Sequence, residues 1–151
     1  MAKERTFVMI KPDAVQRGLV GEIIKRIESA GLKIVAMKFI KPSLEQAKKH
    51  YAIHEGKSFY DKLITFITSG PAVPMVVEGE NAINRVRQLM GKTNPLDADV
   101  GTIRADLAMD IGRNLIHGAD SLENAKYEIG IYFTEEELVD WEWILEQWIY
   151  E

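Results

Sequence analysis

Residues 114–121 read NLIHGADS, and how they are read sets the architecture of the whole chain. Leu115-Ile116 is an apolar pair suited to a strand, and Asp120 and Ser121 carry the side-chain oxygens that start helices. Taken as strand, loop and helix, the stretch supplies the last strand of a sheet. It also puts one of the chain's three histidines, His117, at the end of that strand. A histidine there, next to a glycine that admits close approach, is either a buried core residue or a nucleophile.

Outward from it, TFVMIK (6–11) is a β-rich run stopped by Pro12, and KIVAMKFIK (33–41) is a second, closed by Pro42. VPMVVEG (73–79) is a third, with Pro74 suited to its start or to a sheet edge. Between them, Val20, Ile23, Ile24 and Ile27 fall at i, i+3, i+4 and i+7, the stripe of an amphipathic helix ending near Gly31. Ser43 and Gln46 form a capping-box pair for a helix in SLEQAKKHY, and SFYDKLITFITSG is another, stopped by Gly70-Pro71. Ile83, Val86, Leu89 and Met90 line a helix that Gly91 ends. DSLENAKYEIGIYF is a helix after the last strand, and Thr134 with Glu137 caps one more. From 92 to 113 the periodicity fails, and a long irregular loop is expected; such loops are usually functional or disordered. Four separated strands with intervening helices predict an α/β (α+β) domain: a small four-stranded, mostly antiparallel sheet with helices packed on one face. No repeat or linker divides it, so 1–151 reads as one domain.

The 151 residues are 46% hydrophobic and 28% charged, ordinary values for a globular chain. Cysteine is absent, which excludes disulfides, thiolate metal sites and cysteine nucleophiles. A net charge of −4 argues against nucleic-acid binding by bulk attraction, though not against a local basic pocket. MAKERTFVMIKP runs straight into a strand with no signal segment, and no apolar run spans a bilayer, so a cytoplasmic location with no membrane partner is expected.

Two fragments imitate phosphate loops, GKS (56–58) and GKT (91–93). The motif needs a glycine five positions earlier, where Tyr51 and Val86 stand, so neither encodes the nest. His50 and His54, four apart, would share a helix face and with His117 could form a three-histidine zinc site. Lys48, Lys49 and Lys57 beside them oppose a cation, and no protein metal ligand is assigned.

Read together, NLIHGADS, FVMIKPDAVQRGLVGEIIKRIE, TNPLDADVGTIRAD and the closing WIYE resemble the nucleoside diphosphate kinase family from Thr6 to the C-terminus. The resemblance implies a ferredoxin-like sandwich. It also implies a ping-pong phosphotransferase that moves the γ-phosphoryl of a nucleoside triphosphate through a phosphohistidine at His117 to a nucleoside diphosphate. Glu128, eleven residues on (128 − 117), matches the glutamate that orients the histidine, and Tyr51 a tyrosine beside it. Arg87, Thr93 and Arg104 match phosphate ligands, with His54 at a position used for the same purpose. Lys11 and Asn114 match residues that engage sugar and phosphates. Phe59 matches the aromatic that stacks on the base, with Ile111 as the opposite wall, a mode that accepts purines and pyrimidines alike. Magnesium is implied as a cofactor held mainly through the nucleotide phosphates. A homohexamer is implied, with a tetramer as the alternative, and the 92–113 loop would pack between subunits. No specific nucleic acid is implied.

Three positions depart from the family pattern. Ala119 stands where serine is usual, Val100 replaces a proline, and Ala105 replaces a glycine. Against the enzyme stand two other readings, a nucleotide-sensing module without turnover and the three-histidine metalloprotein. A sensor needs neither His117 nor Glu128, which favours the enzyme.

Overall fold

The computed structural model of the chain describes residues 3–151. Four strands, β1 (Lys3–Ile10), β2 (Lys33–Met37), β3 (Val73–Glu80) and β4 (Ile116–Gly118), form one sheet in the order β2-β3-β1-β4. Every neighbouring pair is antiparallel. β1 and β2 therefore run parallel with β3 between them, and β3 and β4 run parallel with β1 between them. Two split β-α-β units interleave in this way, which is the ferredoxin-like arrangement.

The helices cover both faces of the sheet, not the one expected. The reason lies in β1, where Phe7, Val8, Met9 and Ile10 in succession have no exposed surface. Side chains alternate along a strand, so an unbroken apolar run needs cover on both sides. Val8 and Ile10 pack with α1 (Pro12–Gln16), α2 (Val20–Ser29), α5 (Ala82–Met90) and α6 (Ile103–Leu107) through Ala14, Ile23, Ile27, Val86 and Ile103. Phe7 and Met9 pack with α3 (Leu44–His50), α4 (Tyr60–Ile67) and α7 (Leu122–Tyr132) through Ala47, Ile64, Ile67, Ala125 and Tyr132. Each fully buried large side chain contributes roughly 1.5–3 kcal/mol over leaving it exposed.

Local chemistry sets the ends of these elements. Pro12 stops β1 as expected but also opens α1, where its missing N–H and fixed φ suit the first turn. The Ser43–Gln46 capping box is formed on α3, and Ser121 rather than Asp120 caps α7 through Asn124 N–H. Gly91, at φ +84°, ends α5; a Cβ there would lie 2.5 Å from Thr102 Oγ1. Pro74 sits second in β3, an interior strand, at its start. The 92–113 segment is more ordered than expected. Asn94 caps a 3₁₀ turn at Pro95–Asp97, and Thr102 caps α6 by accepting from Ala105 N–H. Thr134 and Glu137 cap a single 3₁₀ turn, Glu135–Glu137, rather than a longer helix. Beyond it the chain returns over the edge strand: Val139 N–H donates to Val35 O, and Trp141 Nε1–H to Ile34 O. That cover blunts the open edge of β2.

Candidate active site

The turn into β4 is under tension. Ile116 N–H donates to Asn114 O at 2.9 Å, and Leu115 between them has φ +75°. This is a γ-turn of the rare positive-φ kind, strained for a branched residue. The KPD segment holds it from both sides. Lys11 N–H donates to Leu115 O at 2.8 Å, and Leu115 N–H donates to the buried Asp13 carboxylate at 3.0 Å. Gly118 explains the close approach anticipated beside the histidine, since a Cβ there would meet Met90 Sδ at 2.7 Å and Val86 Cγ1 at 3.0 Å. β4 thus lies directly on α5. His117, opposite Met9 in register, joins the α3/α7 face of the sheet.

There His117 meets Glu128 from α7. His117 Nε2 lies 2.9 Å from Glu128 Oε1. A carboxylate only accepts, so Nε2 carries the proton of this bond, and in the neutral ring the lone pair falls on Nδ1. Nδ1 has no hydrogen-bond partner among the described residues, and the ring lines a cavity of about 480 Å³. Burial pushes the Glu128 carboxyl up, but the bonds from His117 and then His50 outweigh it and hold the group at about 2. It is an anion at any physiological pH.

Behind this pair stands His50, the last residue of α3, which entered the sequence reading only as a metal ligand. Its Nε2 lies 3.4 Å from Glu128 Oε2 and 3.3 Å from His117 Nε2, and its Nδ1 lies 2.9 Å from the Tyr132 hydroxyl. The sequence signal was present: Ala47, His50 and Tyr51 fall at i, i+3 and i+4, the buried stripe of the helix. Tyr51 stacks flat on His50, centroids 4.4 Å apart. Burial and the Glu128 charge raise its hydroxyl, which stays protonated.

The opposite wall of the cavity is cationic. Lys11, Arg87, Thr93, Arg104 and Asn114 line it together with His117, Glu128, Tyr51 and His54. Burial, followed by the Arg104 and Arg113 charges, brings Lys11 down to about 8 against the pull of Asp13. Arg87 reaches Gly118 O. Arg104 is buried, and its guanidinium spans three carbonyls: Asn114 O, Gly91 O and Ile116 O at 3.3, 3.0 and 2.6 Å. It ties α5, α6 and β4 together with three of its five N–H groups, leaving two for the cavity. Asn114 donates to Thr93 O at 3.1 Å and anchors the loop to the strand.

Arg104→Lys therefore has two expected effects. A point-charge ammonium cannot replace the fork, so buried carbonyls lose donors and stability falls by about 2–4 kcal/mol in urea unfolding. Turnover falls roughly 10²-fold, measured by steady-state kinetics, as the cation facing the reacting phosphate is displaced.

Two expected site residues stand outside the cavity lining. Phe59 is the residue before α4 and is half-exposed, with its ring 5.2 Å from that of His54, a lining residue. Ile111 is exposed on the turn between Asp110 and Arg113. The three histidines line one cavity but do not gather as a ligand set. α3 ends at His50, so His54 sits on the next 3₁₀ turn, where its Nδ1 is 3.2 Å from Lys57 Nζ. The group that does gather is His50, His117 and Glu128. Ala119 is buried under α7, Val100 is fully exposed, and Ala105 lies in the first turn of α6.

An imidazole with one nitrogen free of protein partners, lining a cavity together with guanidinium and ammonium groups, is equipped to accept a phosphoryl group. Residues 4–138 match the family model for nucleoside diphosphate kinase. The chain is 57% identical over 148 residues to a nucleoside diphosphate kinase of Staphylococcus epidermidis, covering 98% of this chain and 99% of that one. It is equally similar, 57% over 148 residues and 98% of each chain, to that of Archaeoglobus fulgidus. It superposes on a halophilic nucleoside diphosphate kinase from Halobacterium salinarum, solved in complex with CDP, with TM-score 0.96 and 52% identity over 99% of this chain and 100% of the other. Likeness of this order, in sequence as well as backbone and along nearly the full length of both partners, goes beyond a shared fold: the chain belongs to the nucleoside diphosphate kinase family.

Proposed function

We propose that His117 is the phosphoryl carrier of this chain. The activity is that of the family, exchange of a terminal phosphoryl between nucleoside triphosphates and diphosphates in two half-reactions. The observation that carries the residue assignment is the 2.9 Å bond to Glu128, which leaves Nδ1 as the only ring nitrogen free to attack. The Nδ1 lone pair forms a bond to the γ-phosphorus while the bond to the β–γ bridging oxygen breaks, and the diphosphate leaves with that electron pair. The Nε2 proton stays on the ring. Glu128 balances the positive charge that the ring gains. A second diphosphate then attacks the phosphohistidine through a β-phosphate oxygen, and the ring leaves as neutral imidazole.

Phosphoryl transfer otherwise needs positioning and charge compensation. Arg87, Arg104, Thr93 and His54 hold the phosphates, Lys11 and Asn114 the sugar and phosphates, and Tyr51 backs the site. Phe59 stacks on the base with Ile111 opposite it, giving broad base specificity. Magnesium would be held through the nucleotide phosphates: Lys11, Arg87 and Arg104 line the cavity, and Asp120 is the one carboxylate besides Glu128 among its described lining residues. The chain acts as one domain, 1–151, in the cytoplasm. It assembles as a homohexamer, or alternatively a tetramer, with the 92–113 segment between subunits.

A pulse of γ-labelled ATP with magnesium tests the assignment. Label is expected on the protein, lost in acid and stable in base, and a chase with unlabelled GDP moves it to GTP. Nucleotide binding with no protein-bound label would favour the sensor reading instead.

A further inference from the structure

We propose that His50 is a positioning residue for the transfer: its Nε2–H holds the second oxygen of Glu128, so that the first stays in line with His117. The proposal rests on the reading of His117 as the carrier. Glu128 extends from α7 and could turn about its own side-chain bonds if only His117 bound it. His50 comes from α3, a separate element, and lies 3.4 Å from Oε2 while His117 lies 2.9 Å from Oε1. With one imidazole on each oxygen, the carboxylate is pinned between β4 and α3. The packing that keeps α3 against α7 has its own tie, the Tyr127 hydroxyl donating to Lys49 O at 2.7 Å.

The proton assignment follows from the partners. Two Nε2 atoms 3.3 Å apart, both next to one carboxylate, are best satisfied when each donates to it. His50 Nδ1 must then accept, and the Tyr132 hydroxyl at 2.9 Å is there to donate. Tyr132 is buried, and burial raises its phenol, so the donor proton is kept. Burial also holds His50 below the ordinary histidine range. The Lys11 charge acts the same way, against the pull of Glu128. His50 is thus a neutral ring that supplies one N–H to Glu128 without cancelling its charge. Two N–H donors also lower the proton affinity of Glu128, which keeps the Nε2 proton on His117 when Nδ1 attacks. Tyr51, stacked on the far face of His50, prevents the ring from turning away.

The test uses the full-length protein. In the wild type, ¹⁵N NMR of the imidazoles is expected to show His50 protonated at Nε2 and bare at Nδ1, with His117 likewise protonated at Nε2. The opposite tautomer at His50 overturns the proposal and needs no variant that folds. In His50→Leu, the single-turnover rate of label transfer from γ-labelled ATP is expected to fall at least about tenfold, the scale of losing one hydrogen bond to a charged group, with KM for ATP within about twofold. His50→Gln, whose amide offers an acceptor for Tyr132 and a donor for Glu128, is expected to regain most of the rate. Equal loss in both variants, or a matching rise in KM, assigns His50 a structural role instead. Absence of label on the wild type would defeat the carrier reading itself, whereas labelled wild type and an equally fast leucine variant defeat only the role of His50.

Discussion

With His117 replaced by alanine, γ-labelled ATP leaves no label on the protein, and exchange between ATP and a second diphosphate falls at least about 10⁵-fold. The size of the effect follows from the role. Arg87, Arg104 and Lys11 still line the cavity and can still bind nucleotides, but a reaction that runs as two half-reactions has nothing to carry the phosphoryl from the triphosphate to the next diphosphate. The fold is expected to survive. β4 is held through its backbone by β1, and the histidine side chain is partly exposed, so alanine opens no enclosed core void. Glu128 loses its shorter partner and keeps His50, so its carboxyl rises toward the ordinary range while remaining ionised at neutral pH. Nucleotide affinity, read by calorimetry, should stay within a few-fold of wild type. Turnover within about 10²-fold of wild type would mean that the phosphoryl does not pass through this ring.

The sheet was largely legible in the sequence because the punctuation was strong. Pro12 and Gly91 bound the elements they flank, while β2 ends at Met37, short of Pro42, and α4 at Ile67, short of Gly70-Pro71; the Ser43–Gln46 and Thr134–Glu137 boxes both form. The second helical layer was also encoded, in four consecutive buried residues of β1, because a continuous apolar run needs cover on both faces of the sheet. α6 was hidden for a different reason. Its five residues show less than two turns of periodicity, and only the Thr102 cap marks it. The strained Leu115 carries no signal at all, because leucine has no preference for positive φ; Asp13, about a hundred residues away in sequence, imposes it. His50 was misread because i, i+4 spacing assumes a continuous helix. α3 stops at His50, so His54 sits on a separate 3₁₀ turn, and the buried stripe through Ala47 was the better guide.

Glu128→Gln should cost about 10³-fold in turnover while leaving the volume of the site unchanged, because it alters both a proton and a charge. The carboxylate accepts from His117 on one oxygen and from His50 on the other. An amide has one acceptor and one donor end, so one of the two rings must reverse. If the amide N–H₂ turns to His117, Nε2 becomes an acceptor and the ring proton moves to Nδ1, which blocks attack on phosphorus. An analogous wrong-tautomer change in a serine protease costs roughly 10⁴-fold. If the carbonyl stays on His117, the tautomer survives but the anion that stabilises the positively charged ring is gone, worth roughly 10²–10³-fold. ¹⁵N NMR of His117 separates the cases, and activity near wild type would remove Glu128 from the mechanism. Stability gives an independent reading with a definite sign. The carboxyl sits at about 2 in the folded chain and near 4.5 when unfolded, a drop equivalent to roughly 3 kcal/mol. That contribution is present above the ordinary carboxylate range and is lost as pH falls from about 4.5 toward 2, since the folded state must then take up a proton it resists. Glutamine does not titrate. The wild-type advantage over Glu128→Gln in urea unfolding should therefore shrink across that acid window and be constant above it, even if the variant retains no activity to measure.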